Sequence, residues 1–214
     1  MWIDGPNPTD LSPMLGQGAS EANDVNNGGT VCGTAGGHAF TLNLTSNQVV
    51  YPLIQSAAWS QAEAINQVGD VVGRGFLNLT DLWSPAFLYN RTFGVVSLRK
   101  PRFFGDSAWD VNDSGVVVGQ AKTVDDFYFP SRYDGTIERL GGGLHGSAEG
   151  INGHGDIVGY VDSDNETHAV LYELGQDTAD RSQFAHSSRL GLVPRGGTKD
   201  QRRRPHRGLG EVRR

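Results

Sequence analysis

Ala62-Glu63-Ala64-Ile65-Asn66-Gln67-Val68-Gly69-Asp70-Val71-Val72-Gly73 is the stretch around which this chain is organised, because the pattern occurs four times. The other copies open at Ala22, Ala108 and Ala148 and close at Gly33, Gly119 and Gly159. The shared form is A-x-x-[VI]-N-x-x-G-x-[VI]-[VC]-G. Its asparagines, Asn26, Asn66, Asn112 and Asn152, are spaced by 40, 46 and 40 residues. That is the period range of propeller blades and of some helical arrays. The helical option fails on local chemistry, since each unit reads as two short strands joined by a tight turn. In the second copy the strands run from Ala62 to Asn66 and from Asp70 to Gly75, with the turn at Gln67-Val68-Gly69.

A short hairpin loop ending in Gly is the common type I turn with a G1 bulge, whose last position needs positive φ. Gly29, Gly69, Gly115 and Gly155 occupy that position. The preceding Asn closes an Asx-turn onto nearby backbone, so the four asparagines read as turn-makers. The second strand is apolar at consecutive positions: Val31-Cys32, Val71-Val72, Val116-Val117-Val118 and Ile157-Val158. A strand covered on both faces has this pattern, whereas one with a wet face alternates. The closing glycine marks a bulge or a close backbone approach.

Between the motifs lie aromatic-rich strands, such as His38-Ala39-Phe40, Pro85-Ala86-Phe87-Leu88-Tyr89 and His168-Ala169-Val170-Leu171-Tyr172, and then a fourth strand such as Val95-Val96-Ser97-Leu98. The expected fold is therefore all-β: a β-propeller-like array of about four blades, each of four short antiparallel strands. The fourth unit stops near Leu174, one strand short. Residues 1–15 resemble a partial repeat and are the candidate strand to close the ring, which would leave few exposed edges. A closed ring would be monomeric, and an open one would self-associate. The rival expectation is a fragment of a longer repeat protein with no independent activity.

The domain boundary falls at 174/175. Residues 1–174 carry 8 basic and 20 acidic side chains, a net −12, and residues 175–214 carry 10 and 4, a net +6. The tail, with Arg202-Arg203-Arg204-Pro205-His206-Arg207, has no periodicity and reads as a disordered basic terminus. Nucleic acid is not an expected partner, since only this tail could contribute. No window of 18 apolar residues suggests a membrane-spanning helix, and no signal peptide is visible at Met1-Trp2-Ile3-Asp4-Gly5. Cys32 is the single cysteine and stands where other copies carry Val, so it reads as a small buried hydrophobe.

The units resemble the HAF repeat family. His38-Ala39-Phe40 matches the family's eponymous tripeptide, His168-Ala169-Val170 is close to it, and Ala64-Ile65-Asn66 through Gly73 matches its strongest motif. The likeness spans about residues 1–174 in four copies. It implies a secreted or cell-surface β-propeller-like module, mostly without known activity, and it carries over no catalytic residue. Two departures are the missing signal peptide and the basic tail.

No phosphate-loop, zinc-protease or nucleophile-elbow motif is present. Asp110-Val111-Asn112-Asp113-Ser114-Gly115 superficially resembles a calcium loop but lacks its twelfth-position Glu. No catalytic, cofactor or metal residue is expected. The expected activity is non-catalytic binding of an unknown protein or glycan, with a glycan hydrolase using rim carboxylates as a lesser alternative. The candidate partner-binding rim comprises Trp59, Trp83, Trp109, His145 and His154, although packing of the tryptophans between blades is the competing reading.

Overall fold

The computed structural model describes residues 7–16, 18–52, 59–76, 85–98, 107–123, 125 and 127–173. They form four antiparallel meanders. The first sheet is β1 (Ser20–Val25), β2 (Thr30–Ala35), β3 (His38–Asn43) and β4 (Gln48–Val50). The second is β5 (Trp59–Ile65), β6 (Val71–Phe76), β7 (Ala86–Asn90) and β8 (Gly94–Ser97). The third is β9 (Ser107–Val111), β10 (Val117–Lys122), β11 (Tyr128–Tyr133) and β12 (Ile137–Arg139). The fourth has three strands, β13 (His145–Ile151), β14 (Ile157–Ser163) and β15 (Glu166–Tyr172). Helix among the described residues is limited to α1 (Ser12–Leu15) and a 3-10 turn, Gly141–Gly143. None of it is long and apolar enough to cross a membrane.

The hairpin chemistry follows the sequence. Gly29, Gly69, Gly115 and Gly155 have φ of 69°, 93°, 78° and 93°. In the second copy Asn66 Oδ1 accepts from Asp70 N at 2.8 Å, and Gly69 N donates to Asn66 O at 3.2 Å. Asn26, Asn112 and Asn152 make the same contact with Thr30, Val116 and Asp156. The closing glycines sit against the first strand. A Cβ on Gly73 would lie 2.0 Å from Gln61 O, and on Gly33, Gly119 and Gly159 it would meet the matching carbonyl at 2.0, 1.9 and 2.1 Å. Phe40 and Phe87 face Gly33 and Gly73 across the ladder and are fully buried, which explains the Phe of the tripeptide.

The sheets stack in series, the first strand of each packing on the sheet before it. Position one of the apolar pair faces backwards and position two faces forwards. Thus Cys32 and Ala39 pack with Ala62, Ile65, Val71 and Phe87, whereas Val72 and Ala86 pack with Ala108, Val111 and Val117. Val118 and Leu140 then pack with Ala148, Ile157 and Tyr172. Double-sided burial is what makes these strands apolar at consecutive positions.

A ladder of side-chain amides runs through the stack. Asn26 Nδ2 donates to Asn66 O (3.0 Å), Asn66 Nδ2 to Asn112 O (2.9 Å) and Asn112 Nδ2 to Asn152 O (3.2 Å). Asp24 Oδ2 and Asp110 Oδ2 add bonds from Ile65 N and Ile151 N at 2.9 and 2.8 Å. Asp110 of the calcium-like loop is therefore engaged by backbone amides, its other oxygen accepting from Val111 N.

Ring closure by residues 1–15 is not seen among the described residues. Residues 7–11 form no strand, and Ser12–Leu15 is a helical turn with Pro near its start. Leu11, Met14 and Leu15 lie at helical spacing and cover Val31, Ala35, Phe40 and Leu42 of the first sheet, and Tyr51 donates its hydroxyl proton to Leu15 O. The apolar residues of the segment are thus packed on that face, which the segment would leave bare as an edge strand of the fourth sheet. The extensive contacts link the sheets in order, and none joins the fourth to the first.

Candidate functional site

Each closing glycine pairs with a β-bulge on the first strand of its sheet. The register slips between Ala22 and Asp24, Ala62 and Ala64, Ala108 and Asp110, and Ala148 and Gly150. A bulge re-aims the extra side chain away from the pleat. The residues so placed are Asn23, Glu63, Trp109 and Glu149. Thr34, Arg74, Gln120 and Tyr160 follow the closing glycines on the second strands. The repeat frame is constant here, and the side chains it presents differ from copy to copy.

The richest cluster forms where the second and third sheets meet. The Arg74 guanidinium lies over two indoles, its Cζ 5.7 Å from the Trp59 ring centroid and 5.2 Å from that of Trp109. Such stacking is favourable for a delocalised cation. Glu63 Oε1 stands 3.4 Å from Arg74 Nε. Gln61 joins both, donating to Glu63 Oε2 and accepting from Arg74 Nη2 at 3.5 Å each. Trp109 Nε1 donates to Ser147 Oγ at 3.0 Å, which fixes its ring. Burial raises the Glu63 carboxyl above its ordinary range, and the charge of Arg74 opposes that rise. The Nε–Oε1 contact is an ion pair without hydrogen-bond alignment. Glu63 Oε1 and Arg74 Nε are both buried with no hydrogen-bond partner among the described residues, an arrangement uncommon in native structures.

Of the five expected rim residues, Trp59 and Trp109 come together around Arg74, both half-buried. Trp83 lies outside the described residues. His145 and His154 do not share a rim, because they sit at opposite ends of β13, on the order of 20 Å apart for a strand of that length. His145 Nδ1 is 3.0 Å from Asp162 Oδ2, and its ring meets Phe127 and Tyr128 edge-on at 5.3 and 5.9 Å. Asp162 is lowered from its ordinary value, first by the Thr167 hydroxyl and then by His145. His154 is exposed in the Asn152 turn, where its backbone N donates to Asn152 Oδ1.

Glu63, Gln61 and Arg74 were not singled out by the sequence. A signal for them existed: Gly73 announces a close approach, the residue bulged opposite it is Glu63, and Arg74 is the next residue along. Among the described residues no group of three or more His, Cys, Asp or Glu is placed to hold a metal ion. A scan of protein-family models finds no match to the chain, and a search of curated proteins finds none.

Proposed function

We propose that the chain is a non-catalytic binding module of the HAF repeat type, a β-propeller-like array that engages a protein or glycan through the Trp59–Arg74–Trp109 cluster. The propeller reading is supported by the serial face-to-face stacking of short antiparallel meanders on one repeat motif. The HAF reading rests on that motif, and an extracellular or cell-surface location follows from it alone.

The observation that carries the binding reading is the Arg74 guanidinium, on a side chain 36% exposed, stacked against two half-buried indoles beside the Glu63 carboxylate. A sugar ring offers an apolar face to an indole and hydroxyls that can donate to a carboxylate and accept from a guanidinium. A glycan therefore meets the chemistry of the cluster more fully than an apolar peptide does. Glu63 is already partnered by Arg74, which suits a holding role more than the acid–base pair a hydrolase needs.

The test is a glycan-array screen of the full chain, followed by titration of the best ligand with Trp109→Ala and Arg74→Ala. Loss of a contact of this kind costs about 1–3 kcal/mol, so affinity should fall roughly tenfold to a hundredfold while the melting curve stays cooperative. Ligand binding that ignores both substitutions would rule out the cluster. Release of free sugar from the bound glycan would favour the hydrolase instead.

A further inference from the structure

We propose that the outer face of the fourth sheet docks β1 of a second copy of this chain, head to tail, by the same joint that unites the second and third sheets. The sheets alternate in type. The first and third carry Asp24 and Asp110 at the position where the second and fourth carry Ala64 and Gly150. The second and fourth carry Asp70 and Asp156 after the turn, where the first and third carry Thr30 and Val116. A first sheet placed after a fourth therefore repeats the order second-then-third.

The trailing half of that joint is present and uncovered. Val158 pairs with Leu171 across the fourth sheet as Val72 pairs with Leu88 across the second. Val72 is fully buried against the third sheet, whereas Val158 and Leu171 are 51% and 59% exposed. Asn66 Nδ2 bonds both Asp70 Oδ2 and the next sheet's Asn112 O. Asn152 Nδ2 makes the first of these bonds, to Asp156 Oδ2, and its other hydrogen points to no acceptor among the described residues.

The leading half is open as well. Val25 is the counterpart of Val111 and is 57% exposed where Val111 is 5%. Asn66 O accepts from Gly69 N and from Asn26 Nδ2, whereas among the described residues Asn26 O accepts only from its own Gly29 N. A second copy supplies both missing halves at once, with Val25 over Val158 and Asn152 Nδ2 donating to Asn26 O. Helix α1 occupies the β2–β3 side of the first sheet, over Val31 and Leu42; it meets β1 at its start, where the Ser12 and Ser20 hydroxyls lie 3.2 Å apart, and leaves Val25 at the other end exposed. The intermolecular joint is accordingly narrower than the internal ones, and association is concentration-dependent. A heterologous joint of this kind extends rather than pairing off.

The experiment is sedimentation velocity of the full chain over rising concentration, with Val25→Lys blocking the leading face and Val158→Lys/Leu171→Lys blocking the trailing face. All three sites are exposed, and circular-dichroism melts check that each variant folds. The wild type should form a growing series of oligomers. Each variant alone should stay monomeric, its association weakened at least about tenfold by an unpaired charge in the joint. An equimolar mixture of the two variants should form a dimer and nothing larger, because each retains the face the other lacks. A wild type that is monomeric throughout overturns the proposal, as does a single variant that still dimerises or a mixture that fails to.

Discussion

Cys32 shows how a single position reports the stacking. It replaces the Val of other copies and is enclosed between the first and second sheets. Burial, with the negative charge of Asp24 adding to it, pushes its thiol up to about 12. Below about pH 8.5 the thiol is neutral in both folded and unfolded chains. Above that, the unfolded thiol ionises while the folded one keeps its proton, so the unfolded state binds fewer protons and stability falls as pH rises. Urea melts of the wild type should therefore lose about 1–2 kcal/mol more between pH 8 and pH 10 than those of Cys32→Val. A residual alkaline slope remains from Tyr172, whose hydroxyl burial also raises to about 12. The character of Cys32 was legible because its neighbours in the other copies are Val. The roles of Glu63 and Arg74 were not, since they depend on which residue a bulge turns outward and on an indole supplied by Trp109, 35 residues beyond Arg74 in the chain.

At the level of strands and turns, the hairpins were readable because their requirements are local. Positive φ at the turn glycine and a side-chain cap from Asn are each decided within about five residues. The amide ladder was not readable, since the carbonyl that Asn66 Nδ2 reaches is 46 residues away and comes near only after two sheets have packed. Helix α1 escaped for a related reason. Leu11 at its N-cap and Met14 and Leu15 within it find their value in the face of the first sheet, and a pattern over five residues is too short to distinguish from a strand. The ladder makes a graded prediction. Asn66 is buried and its side chain bonds Asp70 N, Asp70 Oδ2 and Asn112 O. Asn152 is exposed, and among the described residues its side chain bonds only within its own turn. Asn66→Ala should cost about 2–4 kcal/mol, because buried groups lose their partners, and Asn152→Ala about 1 kcal/mol. Equal losses in denaturant melts would mean that the bonds between sheets contribute nothing beyond the turns.

Across the whole described array, the same frame serves two ends. Constant residues build turns, bulges and sheet-to-sheet joints, and the positions they expose vary, so the cluster around Arg74 belongs to one joint and is not repeated at the others. Stability in such an array is close to a sum of units and nearest-neighbour joints. The first sheet is covered by α1, and the fourth ends on exposed Val158 and Leu171. An all-β repeat array was therefore legible from the motif, but the order of its ends was not, because closure depends on how small rotations between sheets accumulate. That order is also the most direct point of test. Val25→Cys and Val158→Cys, placed together in a Cys32→Val background, put one thiol on each open face. Under mild oxidation the serial stack predicts no internal disulfide, and any link should join separate chains with a yield that rises with protein concentration. A rapid internal disulfide, formed with a yield independent of concentration, would show the fourth sheet meeting the first within one chain and would contradict the open stack.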